Sequence, residues 1–250
     1  NKTAVNYNRD VEAFPVLNAI LEKISGTSPY KSPTDMGVNM AGSCIVDDEA
    51  CQAASCQEII RRYYQTMCDM RLGRAEESAV VKIEMLMGRA GVSVADRPVV
   101  TAALRRAEET EMPAVAIELP DGSIITGKTT PLLGASAAAL LNSLKALGGI
   151  NHKILLISPT VIEPIQNLKT KHVGNHNPRL HTDEVLIALS ISAAMNPVAG
   201  LALEQLSKLS GCEAHSSVIL SNVDDNTFRK LGVRMTCEPK YQTKKLYHKR

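Results

Sequence analysis

Two segments of alternating apolar and polar residues, AVAIELP (114–120) and SIITGK (123–128), flank the dipeptide Asp121-Gly122. This is the sequence signature of a β-hairpin, because a tight turn needs residues that tolerate positive φ. The chain must therefore hold an antiparallel strand pair, giving its neighbouring helices a sheet to pack on. The same letters pose a rival reading, since GSIITGKT (122–129) fits the phosphate-loop spelling G-x-x-x-x-G-K-[ST]. A phosphate loop follows a buried strand, curls its amides around the phosphates and starts a helix at the Lys-Thr. Here the β-branched pair Ile124-Ile125 favours extended backbone, Gly122 already serves the turn, and Pro131-Leu132 delays the next helix. The hairpin is the expected structure, with Lys128 at a strand end and no nucleotide cofactor.

Around the hairpin the pattern changes sharply. Before it, Phe14, Leu17, Leu21 and Ile24 share a helical face, with Pro15 in the first turn and Gly26 closing the segment. Residues 28–40 (SPYKSPTDMGVNM) have no period and read as a long polar loop. A helix from Asp47 or Asp48 carries Cys56, Ile60, Tyr63, Met67 and Met70 to a stop at Gly73, and another spans 78–90. A further helix leads to Pro113 and the hairpin. After the hairpin the spacing predicts an Ala- and Leu-rich helix, a strand over 153–158 (KILLIS), a helix from Pro159 and a polar loop over 170–181. Then come helical residues 182–209 broken at Asn196-Pro197, a strand over 216–221, a short helix and a strand over 233–239. The expected fold is α/β: a helical region (1–91), a three-layer α/β domain with hairpin and mixed sheet (92–239), and a basic tail (240–250). Strands are expected parallel where helices intervene.

Composition narrows the function classes. With two Phe, six Tyr and no Trp, the core must be built from Ala, Leu, Ile, Val and Met, and few rings remain for stacking single-stranded nucleic acid. The tail from Lys240 holds five of the 28 basic residues and no acid, leaving 23 basic against 26 acidic in the rest. A nucleic-acid partner is therefore not expected. The longest apolar run, 185–195, is too short to cross a bilayer, and no secretory leader is recognisable. Six Cys without a C-x-x-C pair suit a reducing cytoplasm. A first residue of Asn rather than Met suggests a piece of a longer protein.

Two polar clusters could carry chemistry. His181, Asp183, Glu184, Cys212, Glu213 and His215 would converge if HTDEV (181–185) and GCEAH (211–215) meet at one edge of the sheet. Cys212 with His215 or His181 would make a nucleophile and base, or Glu213 and His215 would share a metal. The competing reading makes Thr182, Asp183 and Glu184 helix-capping residues. His172, His176 and His181 form a His-rich loop whose spacing is irregular for a metal. In the second cluster, which also holds Asn8, Arg9 and Lys31 would clamp an anionic ligand that Asp10, Asp35 and Asn39 orient, while the plain alternative has Asp10 capping a helix and Asp35 shaping a turn.

The order helix, Asp-Gly hairpin ending in Thr-Gly, loop, small-residue helix and strand resembles the cytidine-deaminase fold. That resemblance implies a zinc site, but GASAAA (134–139) stands where a His or Cys with Glu is needed, and no P-C-x-x-C occurs. Neither a metal nor a cofactor is expected. The phrases at 5–20, 28–42, 177–190 and 211–221 together resemble the C-terminal half of a bacterial family described as domain of unknown function 1846, or uncharacterised protein family 0371. The resemblance covers nearly the whole chain. It implies members roughly twice this length, with a Gly-rich α/β N-terminal half absent here; some carry an ATP-dependent peptidase label, for which this chain shows no H-E-x-x-H site. The expected role is a cytoplasmic fragment whose polar loop completes a small-molecule or phosphate site shared with the missing N-terminal domain. Two alternatives stand: a non-catalytic module that forms a homo-oligomer through its Ala-rich helices, and a hydrolase or peptidase-like enzyme using Cys212 and His215.

Overall fold

The computed structural model describes residues 7–28, 30, 36 and 48–242. The chain divides into two compact units, residues 1–97 and 98–250. Most of the predicted polar loop and residues 243–250 of the basic tail lie outside the described residues. Among the described residues no helix is long and apolar enough to cross a membrane.

In the first unit, α1 (Tyr7–Ser25), α2 (Asp48–Arg71) and α3 (Glu77–Ala90) are followed by a 3₁₀ turn, Val94–Asp96. Pro15 sits inside α1 rather than in its first turn, where its ring removes one backbone bond of the ladder. The buried side of α2 runs through Ser55, Ile59, Ile60, Tyr64 and Cys68. It is thus rotated from the expected stripe: Ile60 is shared, while Cys56, Tyr63, Met67 and Met70 are half-buried. Helix α3 packs on α2 and buries Val80, Ile83, Leu86 and Met87. The 3₁₀ turn is held by Asp96, whose carboxylate accepts from Ser93 N at 2.7 Å, and by Gln57, which donates to Asp96 O at 2.6 Å.

The second unit has three layers. Helix α4 (Pro98–Thr110) leads into β1 (Ala114–Glu118) and β2 (Ile124–Lys128). Helices α5 (Ala135–Leu147) and α6 (Pro159–Asn167) follow, the latter running into a π turn, Leu168–His172. Next come α7 (Thr182–Ala193), α8 (Pro197–Leu203), β3 (Glu213–Ser216), α9 (Asn222–Lys230) and β4 (Arg234–Cys237). The sheet order is β2-β1-β3-β4. Alternation along β1 sends Ala116 toward Val99 and Ala103 of α4, and sends Val115 and Ile117 into the main core. That core joins Leu140 and Leu144 of α5, Val185 and Leu189 of α7, Ala202 of α8 and Phe228 of α9. It contains one aromatic ring, as the composition requires.

The hairpin is the expected one. Gly122 adopts φ +80° in the turn, and β2 pairs antiparallel with β1 from Glu118↔Ile124 to Ala114↔Lys128. Ile124 and Ile125 are therefore extended, and the backbone between the two glycines does not wrap a phosphate. Gly127 has a separate reason to be glycine: a Cβ there would lie 2.1 Å from the backbone N of Ala139, because α5 crosses directly over β2. Both glycines of the phosphate-loop spelling are thus explained by the hairpin and its covering helix.

Two expected strands are corrected. Residues 153–158 form no strand; Leu156 and Ile157 fill the core from a run of turns, while Ile154 and Leu155 remain exposed. One member of the series on which the deaminase-like resemblance rests is thereby lost. The strand expected at 216–221 lies earlier, at Glu213–Ser216. The chain leaves the sheet after Ser216, whose hydroxyl donates to Val218 O at 2.7 Å, and Ser217 Oγ accepts from Ala114 N at 3.0 Å. Among the described strands β3 and β4, joined through α9, pair in parallel; β1 and β3 are antiparallel although four helices separate them.

Candidate functional site

Three helices of the second unit begin around one small cleft of about 60 Å³. Gly134 is the N-cap of α5, His181 of α7 and Ser221 of α9, and all three line the cleft. The first two are tied together by the bridge Leu133↔Leu180 and by Gly134 N donating to Leu180 O at 3.1 Å. A helix start carries a partial positive charge, so converging starts favour an anion. First-turn amides of α7 and α9 are capped, Thr182 N by Asp224 and Asp224 N by Ser221 Oγ, whereas α5 starts at Gly134 without a side-chain cap. Thr129, at the end of β2, also lines the cleft; it is 4% exposed, and its hydroxyl has no hydrogen-bond partner among the described residues. A buried hydroxyl without a partner is costly, and a ligand oxygen would relieve it.

The titratable centre of the cleft is His181. Its Nδ1 lies 3.1 Å from Asp224 Oδ2 and 3.4 Å from Ser221 Oγ. Asp224 is buried and heavily satisfied: Thr182 donates to Oδ1 from both its N and Oγ1 at 3.0 Å, and Ser221 Oγ donates to Oδ2 at 2.9 Å. The hydrogen bond to Asp224 raises the pKa of His181; burial opposes it, and the Asp224 charge reinforces it. Burial works to raise the pKa of Asp224, but the hydrogen bond and charge of His181, with the Thr182 and Ser221 donors, bring it below its ordinary value. With Nδ1 facing the carboxylate, Nε2 is the nitrogen left to exchange a proton, and it makes no hydrogen bond among the described residues. A pair formed by buried Lys169 and half-buried Glu184 holds the histidine segment in place. Lys169 Nζ donates to Glu184 Oε2 at 2.7 Å and to Arg179 O at 2.6 Å, and Glu184 also accepts from His181 N at 2.8 Å.

Of the residues expected at this edge, the structure places only His181 in the cleft. Asp183 accepts from Glu184 N at 2.8 Å and is exposed, a capping role. Cys212 and His215 lie on opposite faces of the sheet: Cys212 and Ala214 join the main core, whereas His215 pairs with Ala116, which faces α4. They cannot act together as nucleophile and base. Burial pushes the Cys212 thiol up, with the charges of Glu118 and Glu213 adding to it, so it is held away from the reactive thiolate form. His215 is instead buried 2.8 Å from Thr236 Oγ1, and Glu213 accepts from Arg234 at 3.3 Å. His172 and His176 are exposed. Among the described residues no three His, Cys, Asp or Glu side chains are grouped to hold a metal. Lys31, Asp35 and Asn39 lie outside the described residues; Asn8 and Arg9 fall in the first turn of α1, where only the backbone is described. Sequence reasoning missed Asp224, Ser221, Thr129 and Lys169. The first two carried a legible signal, the spacing Ser-x-x-Asp in SNVD (221–224), which marks a helix start.

Two family models match the chain: the N-terminal one, "Domain of unknown function DUF1846, N-terminal", over residues 1–91 and the C-terminal one, "Domain of unknown function DUF1846, C-terminal", over residues 95–247. The first match corrects the expectation that the family's N-terminal domain is absent, since residues 1–91 carry its sequence. Similar proteins, each described as a UPF0371 protein, include those of Corynebacterium efficiens, 58% identical over 247 residues, and Corynebacterium glutamicum, 56% over 247. That of Streptococcus thermophilus is 56% identical over 248 residues. Each match covers 99% of this chain and 50% of the relative. The chain thus spans about half the length of the curated relatives it matches.

Proposed function

Since the chain belongs to the DUF1846 family, whose description assigns no activity, we propose a function from the site itself: residues 98–250 bind a small anionic molecule and exchange a proton with it through His181. The carrying observation is that the Asp224-paired imidazole opens on the cleft where three helices start and where the Thr129 hydroxyl lacks a partner among the described residues. A phosphoryl or carboxylate group suits that cleft, because amide dipoles, a hydroxyl donor and an imidazolium all act on the same charge. Asp224 orients the ring and stabilises its protonated form, leaving Nε2 to act as general acid and, once deprotonated, as base. For residues 1–97, the polar-loop reading stays a second proposal, with Asn8, Arg9, Lys31, Asp35 and Asn39 as an anion clamp. A cleft of about 770 Å³ supports it, with Asn18, Tyr30, Gln52 and Arg89 in its lining, although Glu22 places one carboxylate there as well.

One titration tests both. Inorganic phosphate, followed by NMR, is expected to shift the amides of residues 134–137 and to raise the His181 pKa further, with both effects lost in Thr129→Val. Unmoved amides at 134–137 in millimolar phosphate would remove the first proposal. Unmoved signals at 8–9 and 31–39 would remove the second.

A further inference from the structure

Strand β2 is the last in the order β2-β1-β3-β4, so among the described residues its outer side faces no other strand. A second cleft, of about 250 Å³, runs along that side and shares no lining side chain with the His181 cleft. Leu141, Leu156 and Ile162 supply buried apolar lining. Around them stand three cations from three different elements: Arg106 of α4, Lys128 at the end of β2 and Lys145 of α5. Among the described residues no Asp or Glu lines this cleft. Two of the cations are partly dehydrated. The Arg106 side chain is 40% exposed and its Nη1 pairs with Glu109 at 3.5 Å, but its Nε is buried without a hydrogen-bond partner among the described residues. Burial lowers the Lys145 pKa while its Nζ donates to His152 O at 3.0 Å. Partly dehydrated cations beside apolar surface favour a ligand that brings its own negative charge on an apolar body.

The alternative occupant of an open strand edge is an extended peptide adding a strand. Asn142 argues against it. Its Nδ2 donates to Thr126 O at 2.9 Å, closing the carbonyl in the middle of β2 that an added strand would need. The small volume and the apolar lining also argue against a nucleotide.

We propose that this cleft binds a medium-chain carboxylate, with its head group among Arg106, Lys128 and Lys145 and its chain against Leu141, Leu156 and Ile162. The Lys128 of the phosphate-loop spelling then contacts an anion after all, in a different cleft and without a phosphate-wrapping loop. Calorimetric titration of the intact chain with octanoate tests this. One octanoate is expected to bind per chain, with butyrate and octanol each at least tenfold weaker, because one lacks the apolar body and the other the charge. Arg106→Ala and Lys128→Ala are each expected to weaken octanoate severalfold without shifting the thermal midpoint. Lys128→Arg, which keeps the charge, is expected to retain binding. Octanol binding as well as octanoate, or octanoate binding unaffected by the double alanine variant, would overturn the proposal. So would absence of binding at millimolar octanoate, or an extended peptide perturbing the Thr126 and Lys128 amides where octanoate does not.

Discussion

At the scale of single residues, His181 and Asp224 make the second unit's stability depend on pH in a calculable direction. His181 has a folded pKa above its ordinary 6.5, so its contribution is complete below 6.5 and fades as pH rises through the raised value. Asp224 has a folded pKa below its ordinary 3.8, so its contribution is complete above 3.8 and fades as pH falls through the lowered value. The pair therefore stabilises most between these two ordinary values. The thermal midpoint is expected to decline from pH 6 toward pH 8, and Asp224→Asn should flatten that decline while costing about 2 kcal/mol at pH 6, the scale of a hydrogen bond to a charged group. Identical pH profiles for the two proteins would show that the pairing carries no stability. Thr129 belongs to the same scale: its hydroxyl is buried and has no partner among the described residues, which is the kind of local cost that functional sites carry.

Between elements, the tightest constraint is the crossing of α5 over β2. Gly122 and Gly127 are equivalent letters in the sequence, yet only one of them stands under a helix. An added Cβ at Gly122 meets nothing within 4 Å, so Gly122→Ala carries only the left-handed backbone penalty of about 1 kcal/mol. Gly127→Ala drives a methyl into the Ala139 backbone and is expected to cost about 3 kcal/mol. Urea denaturation of the two variants reads the difference, and equal costs would mean that the helix–strand approach is looser than described. The hairpin was legible because its turn chemistry and its period-two segments are local. The failure at 153–158 is instructive: an apolar run of that length fits a strand, but only Leu156 and Ile157 are buried, and pairing partners come from distant sequence. The antiparallel setting of β1 against β3 was hidden for the same reason. His181 was legible as a polar residue at a helix start. Its partner Asp224, 43 positions away, became visible only through packing of α9 against α7.

For the whole molecule, two independent divisions fall close together: the family models part between residues 91 and 95, and the compact units between 97 and 98. The second unit, of about 150 residues, has the size at which one hydrophobic core sustains a domain. Its core draws on β1, β3, α5 and α7 to α9, with α4 closing the far face of the sheet from Val99 and Ala103. Its last described residues matter as well, because Lys240 O accepts from Ile219 N at 2.8 Å and so fastens the segment that leads to Ser221. Residues 98–242 expressed alone are therefore expected to unfold in one cooperative thermal transition and to keep the raised His181 pKa. Cutting at residue 238 removes the Lys240 carbonyl, so the shorter piece should still unfold cooperatively while the His181 pKa falls toward its ordinary value. A non-cooperative transition for 98–242 would mean that α4 and the sheet need residues 1–97 to hold their layers. An unchanged His181 in the shorter piece would mean that the core alone, without the terminal fastening, sets the geometry of the cleft.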